Sequence, residues 1–172
     1  TSKKNKKKSN YVLFPLSQNK DSSYELLNCV KILSERLKNT NFKLIIKPHP
    51  NFEIKTFLTN LEMKALPQNV KISYKDLDIL LNECLFSVIL STGASYNAVL
   101  SGSIVFPLQS EIHLVDNYLD IFQNKFNFLK SLSIDEISKN LIKLNDNKTE
   151  LNKLKSKYYN LSLFIKKGFN KT

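Results

Sequence analysis

Two turns concentrate the residue types from which a phosphate site can be built. Residues 47–50 read Lys-Pro-His-Pro, and residues 91–95 read Ser-Thr-Gly-Ala-Ser. In the first, two proline rings stiffen the backbone and remove two N–H donors, so no strand can run through it. His49 can donate to a phosphate oxygen and, as imidazolium, neutralise charge on a departing nucleotide. Lys47 adds a point cation, and the Pro50 ring restricts the histidine, which lowers the ordering cost of binding. In the second turn Ser91, Thr92 and Ser95 bring hydroxyl donors. Gly93 permits positive φ and lets a ligand approach the backbone without a Cβ in the way. A helix starting just beyond would present free N–H groups and the positive end of its dipole. Each turn also has a plain alternative: a rigid bend with an exposed imidazole in one case, helix N-capping by Ser91 or Thr92 in the other. Together the two favour a phosphate-bearing ligand.

Both turns follow short apolar runs that read as strands. "YVLFPL" (11–16), "FKLII" (42–46), "NVKIS" (69–73), "FSVIL" (86–90) and "SIVFPL" (103–108) are continuous apolar segments, the pattern of strands covered on both faces. Helical periodicity separates them. Ser22-x-x-Glu25 reads as a capping box before Leu26, Val30, Leu33 and Leu37. A weaker helix spans about 53–63. Ser73-x-x-Asp76 can cap one that carries Leu77, Leu80, Leu81, Cys84 and Leu85, and a short helix through Tyr96 and Val99 stops at Gly102. Residues 109–128 are irregular and rich in aromatics. Ser133-x-x-Glu136 opens a further helix, and a last one runs from about 149 to 166.

Alternating strands and helices of this kind predict an α/β, Rossmann-like parallel sheet of about five to six strands flanked by helices. Residues 11–172 form a single domain in this reading, and 1–10 a basic linker or tail. Ligands of such sheets bind outside the carboxyl ends of the strands, near a switch in strand order. The turns at 47–50 and 91–95 both fall on that edge, expected at adjacent positions. Tyr74 and Asp76 follow the third strand and could line a base pocket, although Asp76 also suits helix capping. Glu111 and Asp116 follow the fifth and could contact a ribose; His113 could reach the cleft or stay solvated.

Charge narrows the partners. The 172 residues carry a net charge of +11, yet Arg36 is the lone arginine among 26 basic residues. A lysine-rich surface favours anions: nucleotides, acidic glycans, nucleic acid or phospholipid headgroups, the last through peripheral membrane association. Specific nucleic-acid binding is not expected, because arginine clusters, RNP-type aromatics and zinc-finger spacings are missing. His49 and His113 stand far apart without a ligand cluster, so no metal site is expected. Cys29 and Cys84 read as buried free thiols on apolar helical faces, which fits a reducing cytoplasm.

"KPHP" after the second strand and "STGASYNAVLSG" after the fourth resemble the C-terminal, donor-binding half of GT-B glycosyltransferases. The pattern is most similar to bacterial surface-polysaccharide enzymes: capsule and lipopolysaccharide sialyl- and Kdo-transferases, and CDP-glycerol glycerophosphotransferases. The resemblance covers roughly 11–108. It implies that His49-Pro50 and Ser91-Thr92 contact the phosphate of a CMP- or CDP-linked nucleotide-sugar, with no other cofactor and a cytoplasmic location at the inner face of the membrane. Where many such enzymes carry a ribose-binding glutamate, this chain reads Ser95-Tyr96-Asn97-Ala98. The family's acceptor site for a glycan or lipid-linked acceptor, and its catalytic base, belong to an N-terminal half. The lysine-rich start resembles an interdomain linker, and the last helix resembles the segment that crosses back. The chain therefore reads as an excised or separately encoded donor domain. Two other readings stay open: a sugar-nucleotide epimerase-like domain, or a non-catalytic basic module that docks on membrane or nucleic acid.

Overall fold

Strand β1 (Ser9–Pro15) lies at the centre of the molecule, between β2 (Lys43–Lys47) and β4 (Cys84–Ile89). The computed structural model describes residues 8–51, 53–90, 92–112 and 117–169. With β3 (Val70–Ile72) and β5 (Ile104–Pro107), the described strands form one parallel sheet in the order β3-β2-β1-β4-β5. From β1 the chain winds outward through β2 to β3, then crosses back to β4 and out to β5. Its switch point therefore lies between β1 and β4. The α/β Rossmann-like class expected from the sequence is the one observed.

The strands are apolar throughout because both faces are covered. All six residues of β4 and all four of β5 are buried. Helices α1 (Lys20–Arg36) and α2 (Ile54–Asn60) pack together, and α5 (Ile134–Asp146) joins α1. Helix α4 (Ala94–Leu100) packs instead with α3 (Leu77–Glu83) and α6 (Lys148–Phe169). Phe86 stands at the middle of the core, edge-on to Phe42 at 5.6 Å and stacked on Phe106 at 6.0 Å. Aromatic pairs at these separations add to the stabilisation from area burial. Two 3₁₀ turns, Asp120–Phe122 and Asn127–Leu129, order part of the aromatic-rich segment.

Several local readings change. Helix α1 starts earlier than its Ser22-x-x-Glu25 pattern suggests, since Asn19 is the N-cap and its side chain accepts from the Ser22 N–H at 2.9 Å. That leaves Glu25 for another task. Asp76 does stand at the N-cap of α3, but its side chain makes no capping bond. Cys84 opens β4 and does not lie on a helical face. Both thiols are buried and free as expected, and burial pushes each up to about 12. The box at Ser133 and Glu136 forms as read, with both reciprocal bonds present. Gly102 takes φ +75 after α4, the left-handed stop for which glycine is suited.

Lys8 belongs to the folded unit. Its ammonium donates to the carbonyls of Leu81 and Cys84 and to the Ser103 hydroxyl, closing the C-terminal end of α3. A cation there meets the negative end of the helix dipole. Burial nevertheless lowers its pKa to about 8.

Candidate functional site

The carboxyl ends of the five strands form an edge on which each loop contributes something different. After β2, Pro48 is buried and anchors the turn, while Lys47 and His49 are half-buried and Pro50 is exposed. The Lys47 ammonium bends back and donates to the Pro48 carbonyl at 3.1 Å. His49 Nδ1 accepts from the Asn51 N–H at 3.3 Å. With Nδ1 used as an acceptor, the neutral ring carries its hydrogen on Nε2, which leaves Nε2 as the donor.

After β4, Thr92 is half-buried and Gly93 exposed. Gly93 has φ −59, so its backbone does not use the left-handed freedom expected of it. Nor does packing require a glycine there, since a Cβ would meet nothing within 4 Å and the turn is open at this position. Ser95 is buried, and its hydroxyl donates inward to the Thr92 carbonyl at 3.1 Å. The N–H groups of Ser95 and Tyr96 donate to the Thr92 and Gly93 carbonyls, both at 3.2 Å, and that of Ala94 to Thr92 Oγ1 at 3.4 Å. These bonds are longer than the usual 2.9–3.0 Å or so. A charged phosphate oxygen, which makes stronger hydrogen bonds than a neutral carbonyl, can compete for such donors. Ser91, His113 and Asp116 lie outside the described residues.

Strand order revises the expected adjacency of the two turns. β1 stands between β2 and β4, so the turns are two strand spacings apart, about 10 Å. The loop after β1 fills that gap. There the Ser23 hydroxyl donates to the Ser17 carbonyl at 2.9 Å, and the Ser17 hydroxyl to the Asn19 carbonyl at 3.2 Å. These bonds hold the loop where the 17-residue α1 begins, with the positive end of its dipole at the switch point. Sequence reading passed over Ser17–Asn19 because the segment carries no charge pattern of its own. Tyr74, after β3, is 73% exposed and stands free of the core.

The largest departure from the sequence reading concerns Glu25. Its carboxylate, buried on the inner side of α1, accepts from Ser110 Oγ at 2.6 Å and from the Glu111 N–H at 2.8 Å. A buried carboxylate reaching across 85 residues of sequence thus fixes the loop after β5. Glu111 itself is exposed at the mouth of a cleft of about 310 Å³ lined also by Tyr24, Asn28, Gln109 and Ser133. The signal was present in the sequence, because position 25 lies one turn before Cys29 on the apolar face. A charge on that face needs a buried partner.

A parallel sheet wound both ways from β1, with polar loops gathered at its carboxyl edge, defines a Rossmann-like domain. No protein-family model and no curated protein sequence matches this chain. Solved structures do. The glycosyltransferase SnogD from Streptomyces nogalater superposes with a TM-score of 0.58 at 12% identity, over 87% of this chain and 38% of that one. Spinosyn forosaminyltransferase SpnP gives 0.59 at 14% identity, over 94% of this chain and 41% of that one. The chain thus has a fold seen in GT-B glycosyltransferases and spans about two fifths of the length of these two enzymes.

Proposed function

We propose that this chain is the donor-binding domain of a metal-independent glycosyltransferase of bacterial surface-polysaccharide synthesis, acting on the cytoplasmic side. Its donor is a nucleotide-sugar, CMP- or CDP-linked, and it uses no further cofactor. The observation that carries the reading is the flanking of the carboxyl end of β1, beside the switch point, by Lys47 and His49 after β2 and Thr92–Gly93 after β4. A ligand laid across the end of β1 meets donors from both sides. Lys47, the Nε2–H of His49, Ser91, Thr92 and the backbone at Gly93 hold its phosphates, Ser95 shapes the turn from within, and Tyr74 and Glu111 meet base or ribose.

In the transfer, the bond from the anomeric carbon to the phosphate oxygen breaks and its electron pair stays on that oxygen. The acceptor oxygen bonds to the carbon as it loses its proton. Lys47 and His49 stabilise the departing phosphate, and fixed donors of this kind act most strongly where water is excluded. His49 is not the base. The base and the acceptor site for a glycan or lipid-linked acceptor come from a second half, in keeping with the two-fifths span. Calorimetric titration with CMP, CDP and UDP tests the reading. His49→Ala and Thr92→Ala should each weaken binding about ten- to hundredfold, the loss of one hydrogen bond to a charged group. Absence of binding to all three nucleotides at millimolar concentration sinks it.

A further inference from the structure

We infer that the surface formed by residues 117–130 and the adjoining flank of α6 docks on an anionic phospholipid bilayer, an inference independent of the donor-site reading. Its basis is a run of rings that leaves the core and surfaces among lysines. Tyr96 meets Tyr118 and Phe122, at 6.4 and 6.2 Å. Phe164 meets Phe122 and Phe126, at 6.0 and 5.6 Å. Phe128 joins Phe126 to the buried Tyr158, at 6.0 and 5.1 Å. Along this run Ile121 is 73% exposed, Tyr118 44% and Phe164 39%, apolar surface that a folded chain leaves in water at a cost. Ile121 lies next to Phe122 in the first 3₁₀ turn, with most of its side chain in solvent.

The accompanying charges are mostly lysines and suit a layer of lipid phosphates; the exposed Asp120 carboxylate next to Ile121 accepts from the Gln123 side-chain amide. Lys125 Nζ stands 4.0 Å from the Phe164 ring centroid and Lys157 Nζ 5.7 Å from that of Phe128. Neither ammonium pairs with a carboxylate among the described residues. Beside Phe128 opens a cavity of about 280 Å³, floored by Leu132, Leu144 and Tyr158 and rimmed by Lys130, Lys143, Lys153 and Lys157. Glu150 is the carboxylate on that rim, shared between Lys143 at 3.8 Å and Lys153 at 3.9 Å, while Lys130 reaches Glu136 at 3.7 Å. The rim therefore keeps excess positive charge. Lysines held over rings around an exposed apolar side chain are the arrangement of an interfacial membrane surface, in which stems and rings enter the headgroup layer and ammonium groups meet phosphates. Nucleic acid would use the charge but gives Ile121 nothing to enter. The Tyr96 hydroxyl donates to the Tyr118 carbonyl at 2.8 Å, so α4 and the turn before it are tied to this face.

Flotation of the full chain with vesicles tests the proposal. It should bind phosphatidylglycerol-containing vesicles at physiological salt and not phosphatidylcholine alone. Each lysine at such a surface contributes about fivefold in affinity, so the Lys125→Glu/Lys157→Glu variant should lose at least about 25-fold. Ile121→Asp should also weaken binding, with an unchanged melting curve because the side chain is exposed. Removing residues 1–7 should leave most of the binding. Nucleotide affinity should be the same in all these variants, which separates failure here from failure at the carboxyl edge. The proposal is overturned by no binding to anionic vesicles or by binding that departs with residues 1–7 while both face variants bind normally. Equal competition by RNA with no effect of Ile121→Asp also overturns it.

Discussion

Removal of the Glu25 carboxylate tests whether the loop after β5 is held from α1. The side chain accepts two bonds, from Ser110 Oγ at 2.6 Å and the Glu111 N–H at 2.8 Å. A hydrogen bond to a charged group contributes about 1.5–3 kcal/mol. Ser110 is half-buried and Glu111 exposed, so both donors regain water when the carboxylate is cut away, and the lower value applies to each. Glu25→Ala should therefore cost about 3 kcal/mol, a fall of about 6–12 °C in Tm for a chain of this size. Glu25→Gln keeps the shape. Its carbonyl can accept from the Glu111 N–H while its amide donates to Ser110 Oγ, so the loss shrinks to about 1 kcal/mol. The signature is the gap between the two variants. Urea denaturation reads the energies, and amide exchange at residues 109–112 reads the loop, where Glu111 should lose its protection in the alanine variant. Equal stability of the two variants, or an alanine variant within about 0.5 kcal/mol of the parent, refutes the reasoning.

Ser87, in the middle of β4, is fully buried, and its hydroxyl has no hydrogen-bond partner among the described residues. Ser87→Ala should stabilise the chain by about 1 kcal/mol, because an unpaired buried hydroxyl costs at least that much; a lower Tm in the variant contradicts this. Lys8 should make stability depend on pH. Burial lowers its pKa to about 8 from the ordinary 10.5, so between these values the unfolded chain holds a proton that the folded chain has released. Stability from this group then rises with pH across that window and is flat on either side. Denaturation midpoints of the parent relative to Lys8→Met should rise from pH 8 toward 10; parallel profiles would show that Lys8 does not titrate as described.

What could be read from the sequence, and what could not, follows from the range of the interactions. β4 and β5 were legible because a strand covered on both faces needs apolar residues at every position, a demand that each segment meets by itself. Ser133 and Glu136 were legible because both halves of their capping box lie within one turn. Ser22 and Glu25 have the same spacing and do not form a box, because Asn19 caps α1 first and the partners of Glu25 lie 85 and 86 residues away. The apolar face of α1 shows that Glu25 needs a buried partner, but no local pattern records which one. The order of the strands is hidden in the same way. The turns at 47–50 and 91–95 could be assigned to the carboxyl edge from alternation alone, but their separation depends on β1 standing between them. That insertion changes the chemistry. Turns on neighbouring strands would crowd a single phosphate, whereas turns about 10 Å apart, with the loop after β1 between them, leave room for a phosphate and the groups on either side of it. The donor proposed above, a nucleotide-sugar whose phosphates lie between nucleoside and sugar, has that form.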